Sequence, residues 1–284
     1  MAGMKLRIVF GTLMIAALVA LLWWDHWLEA SGRPLTGAPT AALAAVLLMA
    51  GALEYARLAA ETELKPMPLV TTVCAVGVGL SPFWARTIDG GGLTSTEWLA
   101  LALLAAFGLA CLSQMARRRA ERALARLAAT VLGVVYVGGF GAFVLGIRMR
   151  FGVPALVVFL GAVKLTDIGA YFVGSAVGRH KLIRWLSPGK SWEGLAGGLA
   201  IGVLGAMGLN WLCQAALGVG WAALFGLIVG AAGQFGDLCE SLLKRSARQK
   251  DAAALVPEFG GVLDILDSPL VAAPVAYALL AVLG

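Results

Sequence analysis

Nine stretches of roughly 17 to 25 residues with few charges recur along this 284-residue chain, each long enough to cross a bilayer core of about 30 Å as one helix. They lie at about 5–24, 38–56, 67–85, 98–115, 127–147, 152–178, 194–216, 220–238 and 262–284. Only 13% of the residues are charged and 60% are hydrophobic, whereas an ordinary soluble domain carries roughly 25% charged residues. A water-soluble globule is therefore excluded, and the apolar residues must face lipid. The first run exceeds the h-region of a secretory signal, and Trp23, Trp24 and Trp27 follow it as an interfacial belt where a signal would carry a small-residue cleavage site. It is read as a span.

The net charge of +6 does not point to nucleic acid, because the basic residues fall in short clusters between apolar runs and form no continuous face. Their placement reads as topology. With the N-terminus inside, 17 of the 22 Lys and Arg fall in inner segments, while Arg33, Arg86, Arg148 and Arg150 are outside and Lys164 lies within a span. The expectation is an all-α polytopic membrane protein of about nine transmembrane helices, N-inside and C-outside. Residues 1–150 read as N-terminal transmembrane helices with short polar links, and the segment from Ser113 to Arg126 as a basic helix at the inner interface that anchors topology and attracts anionic lipid. Cys74, Cys111, Cys213 and Cys239 lie in apolar stretches without a CxxC pair, as buried thiols do.

Residues 151–284 differ in character, since half of the 16 acidic residues lie from Asp167 onward. An Asp in mid-bilayer costs about 2.5–3.5 kcal/mol on insertion scales unless a partner or a wet cavity receives it. Lys164 and Asp167 stand three residues apart on one helix face. They form either an ion pair that locks packing or the lining of a polar cavity. Gly178-Arg179-His180-Lys181 and Ser187-Pro188-Gly189-Lys190-Ser191-Trp192-Glu193-Gly194 follow. The latter is no Walker A loop, because the opening glycine of that motif would fall at Arg184 and no strand is evident before it. Ser187, Lys190 and Ser191 nevertheless bring hydroxyls, a cation and free N–H groups to a helix start, which suits an anion as well as a plain helix cap. His180 reads as a solvated residue of this basic loop.

Asp237, Glu240, Ser241 and Lys244 recur at i, i+3, i+4 and i+7, a polar stripe closing the eighth run. Asp264 and Asp267 share a face at the start of the last. Paired hard oxygen ligands near glycines, surrounded by Lys and Arg, suit Mg²⁺ carrying a polyphosphate, and the ligand types disfavour zinc.

Four blocks carry a resemblance. They are Thr166-Asp167 with Gly169-Ala170-Tyr171-Phe172 and Gly174; Ser187-Pro188 with Lys190-Ser191-Trp192-Glu193-Gly194; Gly236-Asp237-Leu238 with Glu240-Ser241; and Ser241-Leu242-Leu243-Lys244-Arg245, Lys250-Asp251, Pro257, Gly260-Gly261, Asp264 and Asp267. In this order they resemble the phosphatidate cytidylyltransferase (CDP-diacylglycerol synthase) family over most of 160–270. The chain departs from that family's pattern at Phe259, where histidine is usual, at Ile265, where arginine is usual, and at Gly189, where lysine is favoured. These changes remove a proton carrier and up to two phosphate-facing cations.

The resemblance implies that 151–284 is the catalytic region, that CTP and phosphatidate become CDP-diacylglycerol and pyrophosphate at the inner leaflet, and that Mg²⁺ assists. It implies metal ligation by Asp237 and Asp264, with Asp167 and Asp267 completing a carboxylate basin that Lys164 partly offsets. Lys190, Lys244 and Lys250 would meet phosphates, with Asp251 among the catalytic residues. Ser187, Ser191, Glu193, Ser241, Arg245, Gly260 and Gly261 would bind substrate. Homodimerisation stays open. The competing readings are a transporter with a Lys164–Asp167 ion path, which would need interrupted helices in two related halves that this repeat-free chain lacks, and a weakly active paralogue.

Overall fold

The computed structural model describes residues 2–33, 35–88, 92–215, 217–249 and 261–283. Ten helices follow in order: α1 (Ala2–Ala30), α2 (Ala38–Ala60), α3 (Pro68–Gly79), α4 (Ser81–Ile88), α5 (Ser95–Ala116), α6 (Ala123–Gly133), α7 (Phe140–Val177), α8 (Trp192–Leu212), α9 (Val219–Ser246) and α10 (Val262–Leu283). A π turn, Val134–Gly139, joins α6 to α7, and two strands, β1 (Lys181–Ile183) and β2 (Ser187–Ser191), precede α8. The chain is an all-α polytopic membrane protein.

Among the described residues, seven helices are long and apolar enough to span a membrane, or eight if the bent pair α3–α4 counts as one span. Two features separate this from the nine runs read in the sequence. The run 67–85 is two short helices bent by 49°, and the runs 127–147 and 152–178 belong to one helical stretch from Ala123 to Val177. Gly152 breaks that stretch with φ 82° and ψ 178°, a left-handed backbone that glycine takes without a Cβ clash, two residues before Pro154. Trp23, Trp24 and Trp27 are exposed, as an interfacial belt requires.

Three local expectations are corrected. Ser113–Arg126 is not one basic helix: α5 ends at Ala116, and α6 begins at Ala123 after Arg122 has taken φ 53°. The segment after Gly178 is not a plain loop, because β1 and β2 pair antiparallel, Lys181 opposite Ser191 and Ile183 opposite Ser187. Arg148, counted in an outer link, lies inside α7 and is fully buried. All four cysteines are free thiols, but only Cys74 is buried outright.

Two compact units occur. The first takes in the described residues of Met1–Met149 and of Asp251–Ile265. Its packing includes a cluster of Cys74, Val78, Ala106 and Val134, flanked by Val70, Leu99, Ala102 and Leu103. Several buried polar groups here are paired, as lipid favours. Tyr55 Oη donates to Ala129 O at 2.9 Å, and Met67 N to Thr130 Oγ1 at 3.0 Å. Arg148 Nε meets Asp25 Oδ2 at 2.8 Å and its Nη1 meets Glu29 Oε2 at 3.2 Å, while Asp25 also accepts from Gly37 N and Thr40. Glu54, fully buried in α2, accepts from Val262 N at 2.9 Å and Leu263 N at 2.7 Å. A negative group at the positive end of α10 satisfies two of the orphan amides of its first turn.

The second unit takes in Arg150–Lys250 and Leu266–Gly284, again for the described residues. Glycines let its backbones approach closely, as small residues do between membrane helices. A Cβ at Gly198 of α8 would sit 2.7 Å from Thr166 O of α7, and one at Gly236 of α9 would sit 2.7 Å from Asp267 O of α10. The first contact adjoins Asp167 and the second adjoins Asp237, and a Cβ at Gly233 of α9 would meet Val163 of α7 at 3.1 Å, so close packing brings α7, α9 and α10 together.

Candidate active site

The second unit holds a cavity of about 570 Å³ whose lining includes Asp167, Tyr171, Ser187, Lys190, Gln234 and Asp237. Asp167 projects from α7, Gln234 and Asp237 lie one turn apart on α9, and Lys190 is carried by β2. The hairpin turns the chain back toward α8, so that Lys190 comes down over α9.

The polar groups form a chain of contacts. Lys164 Nζ lies 3.4 Å from Asp167 Oδ2, and Gln234 Nε2 donates to Asp167 Oδ1 at 2.8 Å. Gln234 Oε1 accepts from Lys190 Nζ at 3.2 Å, and the same ammonium lies 2.8 Å from Asp237 Oδ2. Asp237 Oδ1 accepts from Ser241 Oγ at 3.5 Å. Asp267 is nearly buried, accepts from its neighbour Ser268 N at 2.5 Å, and feels the charges of Asp237, Lys164 and Asp167. Three carboxylates from three helices thus share one electrostatic environment with two lysines. The Lys164–Asp167 ion pair and the polar cavity, read in the sequence as alternatives, occur together.

Other predicted residues build the walls. Ser191 caps α8, its Oγ accepting from Gly194 N at 3.1 Å, and it also lines the cavity. Glu193 closes the base of the hairpin: its carboxylate accepts from Arg179 N and His180 N at 3.2 Å and meets His180 Nδ1 at 2.5 Å. His180 is exposed, as expected, but paired. Arg245 Nε donates to Leu186 O at 3.3 Å, fastening the hairpin turn to α9. Lys244 lies 2.8 Å from Glu240 within α9, and neither is among the cavity-lining residues. Asp264 belongs to the first unit, where its Oδ2 accepts from Gly261 N at 2.6 Å at the start of α10. Lys250, Asp251, Phe259 and Gly260 lie outside the described residues.

Gln234 and Glu54 were not singled out in the sequence. Gln234 bridges Asp167 and Lys190; its signal was a polar residue three positions before Asp237 in an apolar run. Glu54 was an acidic residue inside a span, the same signal that marked Asp167.

The donor set is one of hard oxygens. No group of three or more His, Cys, Asp or Glu close enough to hold a metal occurs among the described residues. Mg²⁺ requires less than that, because it takes one or two carboxylates and completes its shell with water and phosphate oxygens. Asp237 and Asp167 are the carboxylates whose chemistry fits such a site, and Lys190 and Lys164 pair with them.

Carboxylates and lysines around one cavity suit a reaction between anions, and the chain's relatives accord with that chemistry. The pattern of the cytidylyltransferase family matches residues 5–283. The chain belongs to this family. Similar proteins include phosphatidate cytidylyltransferases of Bacillus subtilis (strain 168), 34% identical over 152 residues that make up 53% of this chain and 56% of the relative, and of Brucella suis, 38% identical over 146 residues, 50% and 54% respectively. That of Pseudomonas aeruginosa is 43% identical over 115 residues, 40% of this chain and 42% of the relative. The chain thus spans about half the length of the curated relatives it matches. Within this member of the family, the cavity of the second unit is the candidate site.

Proposed function

We propose that the chain transfers the cytidylyl group of CTP to phosphatidate, giving CDP-diacylglycerol and pyrophosphate. The observation that carries this reading is the meeting of Asp167, Asp237, Lys164 and Lys190 through Gln234 beside one cavity. Family membership and the names of the similar proteins support it.

In the reaction, an oxygen of the lipid phosphate attacks the α-phosphorus of CTP in line. The bond from that phosphorus to the oxygen bridging it to the β-phosphate breaks, and pyrophosphate leaves with the electron pair. The phosphomonoester is already anionic near neutral pH, so no nucleophile–base pair is required of the protein. What the chain must supply is alignment of two mutually repelling anions and compensation of their charge. Lys190 would exchange its contacts with Asp237 and Gln234 for phosphate oxygens, while Gln234 keeps Asp167 aimed into the cavity. Ser187 and Ser191 would donate hydroxyl hydrogens to phosphate. Asp237 and Asp167 would hold Mg²⁺, with Asp267 adding negative charge behind them. Bound there, the ion would offset charge on the transferring phosphoryl group and on pyrophosphate.

The site would face the cytoplasm at the inner leaflet. The excess of Lys and Arg in the segments that include the hairpin supports this side.

The test is product formation by the purified full chain in nanodiscs with Mg²⁺ and CTP labelled at the α-phosphorus. Label should enter lipid only when phosphatidate is present, with one pyrophosphate released per CDP-lipid, and EDTA should stop it. Entry of label with phosphatidate omitted, or no labelled lipid under any condition, would overturn the proposal.

A further inference from the structure

Outside the candidate site, the first unit carries a basic pocket of about 500 Å³ lined by Lys65, Arg117, Arg119, Glu121, Arg122 and Arg126. Its cations come from three separate places: Lys65 follows α2, Arg117 and Arg119 follow α5, and Arg122 and Arg126 stand at the start of α6. A purely topological anchor needs positive charge near a membrane end but no convergence on one concavity. Here the charges converge.

The pocket is organised from beneath by Gln114, which is buried. Its Nε2 donates to Arg119 O at 2.7 Å and its Oε1 lies 3.5 Å from Arg126 Nη1, so one neutral side chain holds both the turn after α5 and the guanidinium of α6. Glu63 neutralises Arg122 at 2.5 Å, and Glu121 adds one negative charge to the rim. No described carboxylate pairs with Arg117, Arg119 or Arg126 in an ion pair. The pocket keeps an excess of cations. Lys65, Arg118 and Arg122 all take positive φ, between 43° and 53°, a conformation uncommon for residues other than glycine.

The surface beside the pocket is apolar. Leu112 and Met115 on the last turns of α5 are 64% and 71% exposed, and Leu124 on the first turn of α6 is 83% exposed. Further back on α5, Leu104 and Leu101 are also exposed. Acyl chains fit along such a face, and the pocket stands where the face gives way to charge. Arginine forks match phosphate oxygens bidentately.

We propose that this pocket binds the phosphate of an acidic phospholipid, with the acyl chains lying along α5, as a lipid site separate from the candidate active site. It does not depend on the nucleotidyl-transfer reading. The occupant is a lipid and not a free phosphate, because the cations alone would serve either but the adjoining exposed leucines serve only a ligand with a hydrocarbon part.

The experiment uses the full chain in a neutral detergent, with phosphatidylglycerol as a probe that is not a phosphomonoester and native mass spectrometry as the readout of retained lipid. Wild type should retain phosphatidylglycerol over phosphatidylcholine. Each basic residue near a membrane surface contributes about fivefold in lipid binding, so Arg126→Gln alone should weaken retention about fivefold and Arg117→Gln with Arg119→Gln and Arg126→Gln about 100-fold. The single variant leaves the other four cations in place and keeps the chain in the membrane should the triple fail to fold. CDP-lipid formation in phosphatidylcholine nanodiscs supplied with phosphatidate should stay at the wild-type rate in Arg126→Gln. Equal retention by wild type and Arg126→Gln, no preference over phosphatidylcholine, or displacement of the lipid by millimolar inorganic phosphate would overturn the proposal.

Discussion

Glu54→Gln isolates how the start of α10 is held. The wild-type carboxylate accepts from Val262 N at 2.9 Å and Leu263 N at 2.7 Å in a fully buried position. Glutamine keeps the size, but only its oxygen can accept; its NH₂ faces the second amide as donor against donor. A hydrogen bond to a charged group contributes about 1.5–3 kcal/mol, and a buried amide left without an acceptor costs about 1–3 kcal/mol. Allowing for partial relaxation, the first turn of α10 should lose about 2–5 kcal/mol, equivalent to about 30- to 5,000-fold more frequent opening. Hydrogen–deuterium exchange of peptides covering residues 261–268, in detergent below the unfolding temperature, reads that opening directly. Protection should fall there and not in α5, whose start is held by its own Thr94–Glu97 capping box. Because α10 also carries Asp267, turnover should fall with protection. Unchanged exchange at 261–268 would refute the capping role of Glu54.

Further expectations follow from other contacts. Arg148→Met leaves buried Asp25 and partly exposed Glu29 without their cation and should cost about 3–5 kcal/mol, seen as a large drop in Tm by tryptophan fluorescence, with partial recovery when Asp25→Asn is added. Gln234→Leu removes the bridge between Asp167 and Lys190; kcat should fall about 5- to 150-fold while Tm changes little. Gly236→Ala places a methyl about 2.7 Å from Asp267 O, so α9 and α10 must part and both Tm and turnover should fall. Ser191→Ala loses the α8 cap, about 1 kcal/mol of stability, together with a hydroxyl of the cavity.

Much of this was legible because lipid makes charge conspicuous. Asp167, Asp237 and Lys164 stood out as ionised groups in apolar runs, and the structure gives each a partner. Ser191 was readable both as a cap and as an anion donor, and it caps α8 while lining the cavity. Gln234 escaped notice because it carries no formal charge, the feature by which Asp167 and Asp237 stood out. Glu54 was an acidic residue inside a span and Arg148 was counted in an outer link; their partners lie 208 and 123 residues away in sequence, and no local pattern encodes such a pairing. Asp264 and Asp267 have identical spacing cues yet different surroundings: one accepts from Gly261 N, the other stands within reach of Asp237 and Asp167. The hairpin was missed because Lys181–Ser191 is short, basic and interrupted by Pro188, without the alternation that signals strands.

The central proposal is that Asp237, held opposite Lys190, would hold the Mg²⁺ that offsets charge on the transferring phosphoryl group. The initial rate of α-labelled CTP incorporation into phosphatidate tests it, compared between wild type and Asp237→Asn at equal reconstituted amounts and equal Tm. Loss of one positioned electrostatic group predicts a fall of about 10²–10³-fold. A rate within threefold of wild type would contradict the account.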